Sequence, residues 1–188
     1  PILWSLVDWL RSKMQVSFDS NWPLIKKPDR KPWSHQEESL REMIEVNKNG
    51  RKGHFLWIPV GLGKTFIVLS YVRYLDMKKK LPPYIIYTLP ASAIASIINE
   101  IKVFGLDFEI MIPTKSISKD HPFRDKINNS CTPARHKITL IEHDHLRRCE
   151  EQLTTHITES LFIIDEVHKA LNETKRTALA LQLSHLSV

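Results

Sequence analysis

The chain has 188 residues, 42% of them apolar, and 27 Lys and Arg against 21 Asp and Glu leave a formal charge of +6. This is the composition of one folded domain with at most a short extra segment, and it excludes disorder of the whole chain. It also excludes a membrane span, because the most apolar stretch, Ile85 to Ile98, is broken by Thr88, Pro90, Ser92 and Ser96.

At the N-terminus no basic segment, apolar run and cleavage site follow one another, so no secretory signal is read there. A start at Pro1 rather than Met reads as a processed or excised piece. Ile2, Leu3, Leu6, Trp9 and Leu10 recur at helical spacing and predict an accessory helix within residues 1–20. Trp22 to Pro32, with Lys26, Lys27, Arg30 and Lys31 among its prolines, reads as a basic linker. We therefore divide the chain into an accessory region, 1–32, and a main domain, 33–188. Ser34-His35-Gln36-Glu37 has the form of a capping box, with Leu40, Met43 and Ile44 as the inward stripe behind it. On that reading Gln36 is a polar residue in a solvated first turn. Asn49 to Gly53 ends the helix.

Glycine is scarce, with five in the chain where average usage would give roughly 13. Two of the five, Gly61 and Gly63, stand just before Lys64-Thr65. Upstream, Phe55-Leu56-Trp57-Ile58-Pro59-Val60 predicts a buried strand; downstream, the apolar run from Phe66 to about Met77 predicts a buried helix. Strand, glycine turn and helix together make a phosphate cradle, because glycine lets successive N–H groups point into one concavity at the positive end of the helix. Pro59 through Thr65 would line it. Lys64 would reach the β- and γ-phosphates and Thr65 would place its hydroxyl on Mg²⁺. The longer pattern GxxxxGK[ST] fails at Ile58, although GxGKT is intact. A glycine turn with an incidental lysine is the plainer alternative for this segment taken alone.

Lys78-Lys79-Lys80 closes the helix, where positive charge is favourable. Tyr84 to Leu89 predicts a second buried strand, Ala91 to Phe104 a helix, and Phe108 to Ile112 a short strand. Residues 113–136 are polar and basic and are read as a short helix near 120–127 with a mobile tip. Lys137 to Ile141 predicts a strand and Asp144 to Leu153 a helix. His143 and His145 alternate near that strand end without further His or Cys at ligand spacing, so no transition-metal site is expected. The two cysteines, Cys131 and Cys149, are too few for a disulfide scaffold and suit a reduced intracellular setting, nuclear or cytoplasmic. The positive charge permits a nucleic-acid partner without requiring one.

Leu161-Phe162-Ile163-Ile164 ends in Asp165-Glu166, a buried strand that delivers two carboxylates at its C-terminal edge, where ligands of open α/β sheets collect. Asp165 would orient Mg²⁺ and Glu166 would activate a water. An acidic helix start is the plain alternative for this pair. About Glu173 to Leu186 a final helix places Leu179, Leu183 and Leu186 on one face.

Gly61-Leu62-Gly63-Lys64-Thr65 with Asp165-Glu166-Val167-His168 resembles motifs I and II of superfamily 2 helicases, and more narrowly of chromatin-remodeller-type DNA translocases. Trp33-Ser34-His35-Gln36 resembles the segment in which a glutamine reads adenine. Leu89-Pro90-Ala91-Ser92 with Glu100 resembles motif Ia, Ile138 to Arg147 resembles the run before motif II, and Asn172 also matches. The resemblance covers residues 30–188. The chain departs from the remodellers at Ile58-Pro59-Val60, in place of an acidic lead-in, and at Ile97 and Val167.

The resemblance implies a RecA-like P-loop lobe, a mostly parallel doubly wound sheet with helices on both faces. It implies ATP and Mg²⁺ as cofactors and a second RecA-like lobe, from a longer chain, that supplies an arginine finger. It implies double-stranded DNA more than other nucleic acids as partner, contacted by Pro90, Ala91, Ser92, His143 and Arg147, and no membrane partner. His168 would couple the nucleotide site to the partner lobe; its plain alternative is a polar helix start. The expected function is the ATP-binding lobe of a nucleic-acid-dependent ATPase, nearly inactive alone. A P-loop kinase and a non-catalytic binding module are the alternatives.

Overall fold

A computed structural model describes residues 32–50, 53–112, 136–167 and 183–184. In chain order these form α1 (Ser34–Lys48), α2 (Lys64–Met77), β1 (Tyr84–Leu89), a 3-10 turn (Ala91–Ala93) running into α3 (Ile94–Val103), and β2 (Phe108–Met111). Then follow β3 (His136–Glu142), a 3-10 run (His143–Cys149), α4 (Glu150–His156), a 3-10 turn (Ile157–Glu159) and β4 (Ser160–Ile164). The accessory helix in 1–20, the basic linker up to 31, the segment 113–135, Cys131, His168 and Asn172 lie outside the described residues, as does the final helix apart from 183–184.

The four strands form one sheet in the order β2-β3-β1-β4, and every pairing is parallel. β1 runs alongside β3 from Tyr84↔Lys137 to Leu89↔Glu142 and alongside β4 from Tyr84↔Ser160 to Thr88↔Ile164. A strand buried on both faces is largely apolar, and β1 is so apart from Thr88: Ile85 and Leu89 are fully buried and Ile86 and Tyr87 nearly so. Its alternate residues serve two cores. Ile85, Tyr87 and Leu89 join Ile138 and Leu140 under α1, α2 and α3. Ile86 joins Ile141, Leu146, Cys149, Leu153, Ile157 and Leu183 on the other face. Helices on both faces of a parallel sheet make the expected doubly wound architecture.

α2 runs antiparallel to the strands. Near its C-terminus Asp76 lies 3.6 Å from the imidazole of His136, the first residue of β3. Its 14 residues span about 21 Å, close to the length of β1, about 20 Å for six residues, so Lys64 emerges at the C-terminal edge of the sheet. Arg73 on α2 donates to the carbonyl of Phe104 at 2.7 Å and so satisfies the end of α3.

Several local expectations are corrected. Phe55 to Val60 is not a strand but an irregular segment that turns at Val60, and it is not buried: Phe55 and Trp57 are 61% and 85% exposed, while only Leu56 and Ile58 pack against the core. A strand needs a ladder partner, and none of the four described strands pairs with this segment. β4 is mostly half-buried rather than buried, lying at the edge of the sheet formed by the described strands. The helix foreseen from Asp144 is a 3-10 run up to Cys149 and α-helical only from Glu150. Helix α1 starts one residue early: Trp33, not Ser34, is the N-cap. Gln36, not Glu37, closes the cap, its Oε1 accepting the Trp33 N–H at 3.0 Å.

Candidate nucleotide-binding site

The glycine loop lies between the irregular segment 53–59 and α2. Gly61 and Gly63 have φ of +87° and +80°, a left-handed conformation that glycine adopts at no steric cost. Gly63 is the N-cap of α2, so the free N–H groups of the first helical turn open where the loop ends. At Gly61 a side chain would meet open space, whereas at Gly63 a Cβ would strike the amide nitrogen of Gln36. Pro59, Val60, Gly61 and Leu62 are exposed, and Gly63, Lys64 and Thr65 are half-buried.

Lys64 folds back within the loop, its Nζ donating to the carbonyl of Ile58 at 3.1 Å. Two donors from the first turn of α1 hold the opposite side. Gln36 Nε2 donates to the Leu62 carbonyl at 3.1 Å, and His35 Nε2 lies 3.1 Å from the same oxygen. A carbonyl only accepts, so this ring nitrogen carries the proton. Gln36 is therefore not a solvated first-turn residue; it is 7% exposed. His35 is a site residue that sequence reasoning quoted without a role, because nothing in its spacing signals a contact 27 positions away.

Asp165 and Glu166 follow β4. The Asp165 N–H donates to the Thr88 carbonyl at 2.9 Å, continuing the sheet by one bond, and Asp165 Oδ1 accepts the N–H of Glu166 at 2.9 Å. Glu166 has φ of +47°, a left-handed conformation that costs a non-glycine residue of order 1–3 kcal/mol and concentrates at functional sites. Tyr87 on β1 is pushed well above the ordinary phenol range, first by burial and then by the Asp165 charge. The loop and the acidic pair thus emerge at the same, C-terminal, edge of the sheet. Thr65 and Asp165 offer oxygen donors suited to Mg²⁺. Among the described residues no three His, Cys, Asp or Glu gather closely enough to hold a metal by themselves.

The residues named for nucleic acid share this edge. Pro90, Ala91 and Ser92 follow β1, with Ala91 and Ser92 exposed; Arg147, in the run after β3, is exposed too. His143 is separate from them in character: it is buried, at 6% exposure. His145, also buried, faces Glu142 at 3.8 Å.

Residues 29–186 match the family described as the type III restriction enzyme, res subunit. The chain belongs to the res-subunit family. As a member of it, the chain is a superfamily 2 helicase-type lobe with a RecA-like fold. Its structure is similar to the Sulfolobus solfataricus SWI2/SNF2 ATPase core in complex with dsDNA, at 22% identity over 80% of this chain and 29% of that one, with a TM-score of 0.58. It is also similar to a nuclease-deletion mutant of the type ISP restriction-modification enzyme LlaGI in complex with a DNA substrate mimic, at 18% identity, 74% and 15% coverage and a TM-score of 0.58. This res-subunit relative therefore spans under a third of the length of either protein. A search of curated proteins found no match to its sequence.

Proposed function

We propose that this lobe binds Mg²⁺·ATP between Pro59–Thr65 and the Asp165-Glu166 pair and serves as the N-terminal lobe of a DNA-dependent ATPase that moves along its substrate. What supports the reading is that the glycine loop opens at the start of α2 and the two carboxylates follow the C-terminal end of β4, in a fold whose solved neighbours were captured with DNA. Lys64 exchanges the Ile58 carbonyl for phosphate oxygens. The loop N–H groups and the positive end of α2 take up further charge. Thr65 and Asp165 would hold Mg²⁺, which would supply charge neutralisation to the bound phosphates. Glu166 orients a water and accepts its proton.

A second RecA-like lobe, from the same longer chain, would close on the nucleotide and supply an arginine, a contribution of roughly 10³–10⁵ in rate. His168 would relay between the two. Pro90, Ala91, Ser92 and Arg147 contact the DNA backbone, with His143 supporting their edge from beneath. Such contacts position without reading sequence.

The test is nucleotide and duplex binding by the 188-residue chain. It should bind Mg²⁺·ATP weakly, turn it over very slowly, and bind duplex DNA with an affinity that falls steeply between low and moderate salt. Brisk turnover by this chain would overturn the two-lobe mechanism. Salt-independent DNA binding would overturn the backbone contacts.

A further inference from the structure

We propose that Tyr87 is a positioning residue of the metal site, its hydroxyl donating to the Asp165 carboxylate in the loaded site and so orienting it for Mg²⁺. This rests on the nucleotide-binding reading above, to which it adds a residue. Tyr87 on β1 lies opposite Ile163 on β4, so Asp165 stands two residues further along the neighbouring strand. Side chains two apart on a strand share a face. Leu161 and Ile163 pack into the core under α1, α2 and α3, whereas Phe162 and Ile164 pack into the other. The Asp165 N–H still bonds to the Thr88 carbonyl at 2.9 Å, so the alternation carries Asp165 to the side of Leu161 and Ile163. Tyr87 belongs to that same core. So do Phe66, Ile67 and Leu69 of α2, the helix that opens with Lys64 and Thr65. Strand spacing and rise put the Cα atoms of Tyr87 and Asp165 about 8 Å apart, a gap that a phenol spans. The Asp165 charge reaches the ring.

On this face of β1 the companions of Tyr87 are Ile85 and Leu89, both aliphatic. A phenylalanine would fill the core as well, so the hydroxyl is the feature to explain. Tyr87 is 1% exposed, and no described residue hydrogen-bonds to its hydroxyl. A buried hydroxyl is costly unless it finds an acceptor. An ionised carboxylate only accepts, and its two oxygens offer about four lone-pair sites. Oδ1 of Asp165 takes the Glu166 N–H at 2.9 Å. The phenol is a second donor from the chain, and two donors fix the plane of the carboxylate while leaving lone pairs for a metal ion.

The experiment titrates Mg²⁺ into the 188-residue chain with ATP, taking ATP in EDTA as the metal-free reference. Tyr87→Phe keeps the ring and should hold the melting temperature near wild type. The Mg²⁺ concentration at half-saturation should rise roughly three- to tenfold, the loss of one hydrogen bond, with metal-free ATP affinity unchanged. Electron paramagnetic resonance of Mn²⁺, which takes the same oxygen ligands, should show the same loss of bound metal without any turnover. In an Asp165→Ala background Tyr87→Phe should add nothing, because the phenol acts through that carboxylate.

An unchanged half-saturation in Tyr87→Phe would overturn the proposal, whatever happens to the melting temperature. Equal loss of ATP affinity with and without Mg²⁺ would overturn it too, as would a further loss in the Asp165→Ala background. A wild-type chain that binds ATP under neither condition would overturn the nucleotide reading itself, and this proposal with it.

Discussion

The backbone N–H of Asp165 donates to the carbonyl of Thr88 at 2.9 Å, one step beyond the last paired residues of β4 and β1. That single bond ties the candidate metal carboxylate to the strand that runs directly into Pro90, Ala91 and Ser92. The two candidate surfaces, for nucleotide and for nucleic acid, therefore share a support, and the side chain at their junction is informative. Thr88 is fully buried, and its hydroxyl has no hydrogen-bond partner among the described residues. Replacing an unpaired buried hydroxyl by a methyl group of the same shape removes a desolvation cost. Thr88→Val should stabilise the fold by about 1 kcal/mol, read from the urea midpoint. A destabilised variant would show that the hydroxyl is paired.

Gly61 and Gly63 separate backbone strain from steric conflict. Both have left-handed φ, so alanine at either should cost about 1–2 kcal/mol. Only at Gly63 does the new methyl group also displace the Gln36 amide. Gly63→Ala should cost more than Gly61→Ala, and the excess should vanish in a Gln36→Ala background. A double-mutant cycle on unfolding free energy measures this coupling, and additive losses would contradict the contact.

Lys64 makes its described bond only to the loop carbonyl of Ile58. Lys64→Ala should therefore leave the melting temperature close to wild type while weakening Mg²⁺·ATP roughly 10- to 100-fold, as expected for a lost charge-assisted hydrogen bond. Calorimetric titration and thermal melts of the same sample separate the two effects. Unchanged ATP affinity would remove Lys64 from the site.

How much of this was legible in the sequence follows the physics of burial. β1 and β3 were readable because both sheet faces are covered, which favours the mostly apolar, β-branched runs at Tyr84–Leu89 and Lys137–Ile141, broken only by Thr88, Lys137 and Thr139. The glycines were readable because left-handed turns tolerate little else. Phe55 to Ile58 misled because apolar content specifies burial only where a neighbour supplies a ladder, and here alternate residues face outward. The edge position of β4 was invisible for the same reason. Trp33 displaced Ser34 as the cap because the Gln36 amide, drawn in by Leu62, satisfied the Trp33 N–H. The burial of His143 depends on a 3-10 run that lacks the helical periodicity expected of it.

Cys149 is fully buried, and burial pushes its thiol up to about 12 from an ordinary 9. Burial, with help from Tyr74, likewise raises Tyr71 to about 12 from 10. Both groups keep their protons in the folded chain where the unfolded chain would lose them. Their contribution to stability is therefore fully present below about pH 9 and is lost as pH rises through 9 to 12. Urea midpoints should be insensitive to these two groups from pH 7 to 8.5 and fall above that window. At pH 8 Cys149 should resist a thiol reagent until urea unfolds the chain; rapid labelling of the native protein at this residue would contradict its placement in the core.

The central claim is that the loop at 61–65 and the carboxylates at 165–166 meet one metal-bound triphosphate. Paramagnetic broadening of backbone amide signals by Mn²⁺·ATP measures this directly, since Mn²⁺ replaces Mg²⁺ on the same oxygen ligands. The account predicts that the amides of Gly61 to Thr65 and of Asp165 and Glu166 broaden together at the same low occupancy, and that Asp165→Asn weakens both effects. Broadening of one group while the other stays sharp would contradict it.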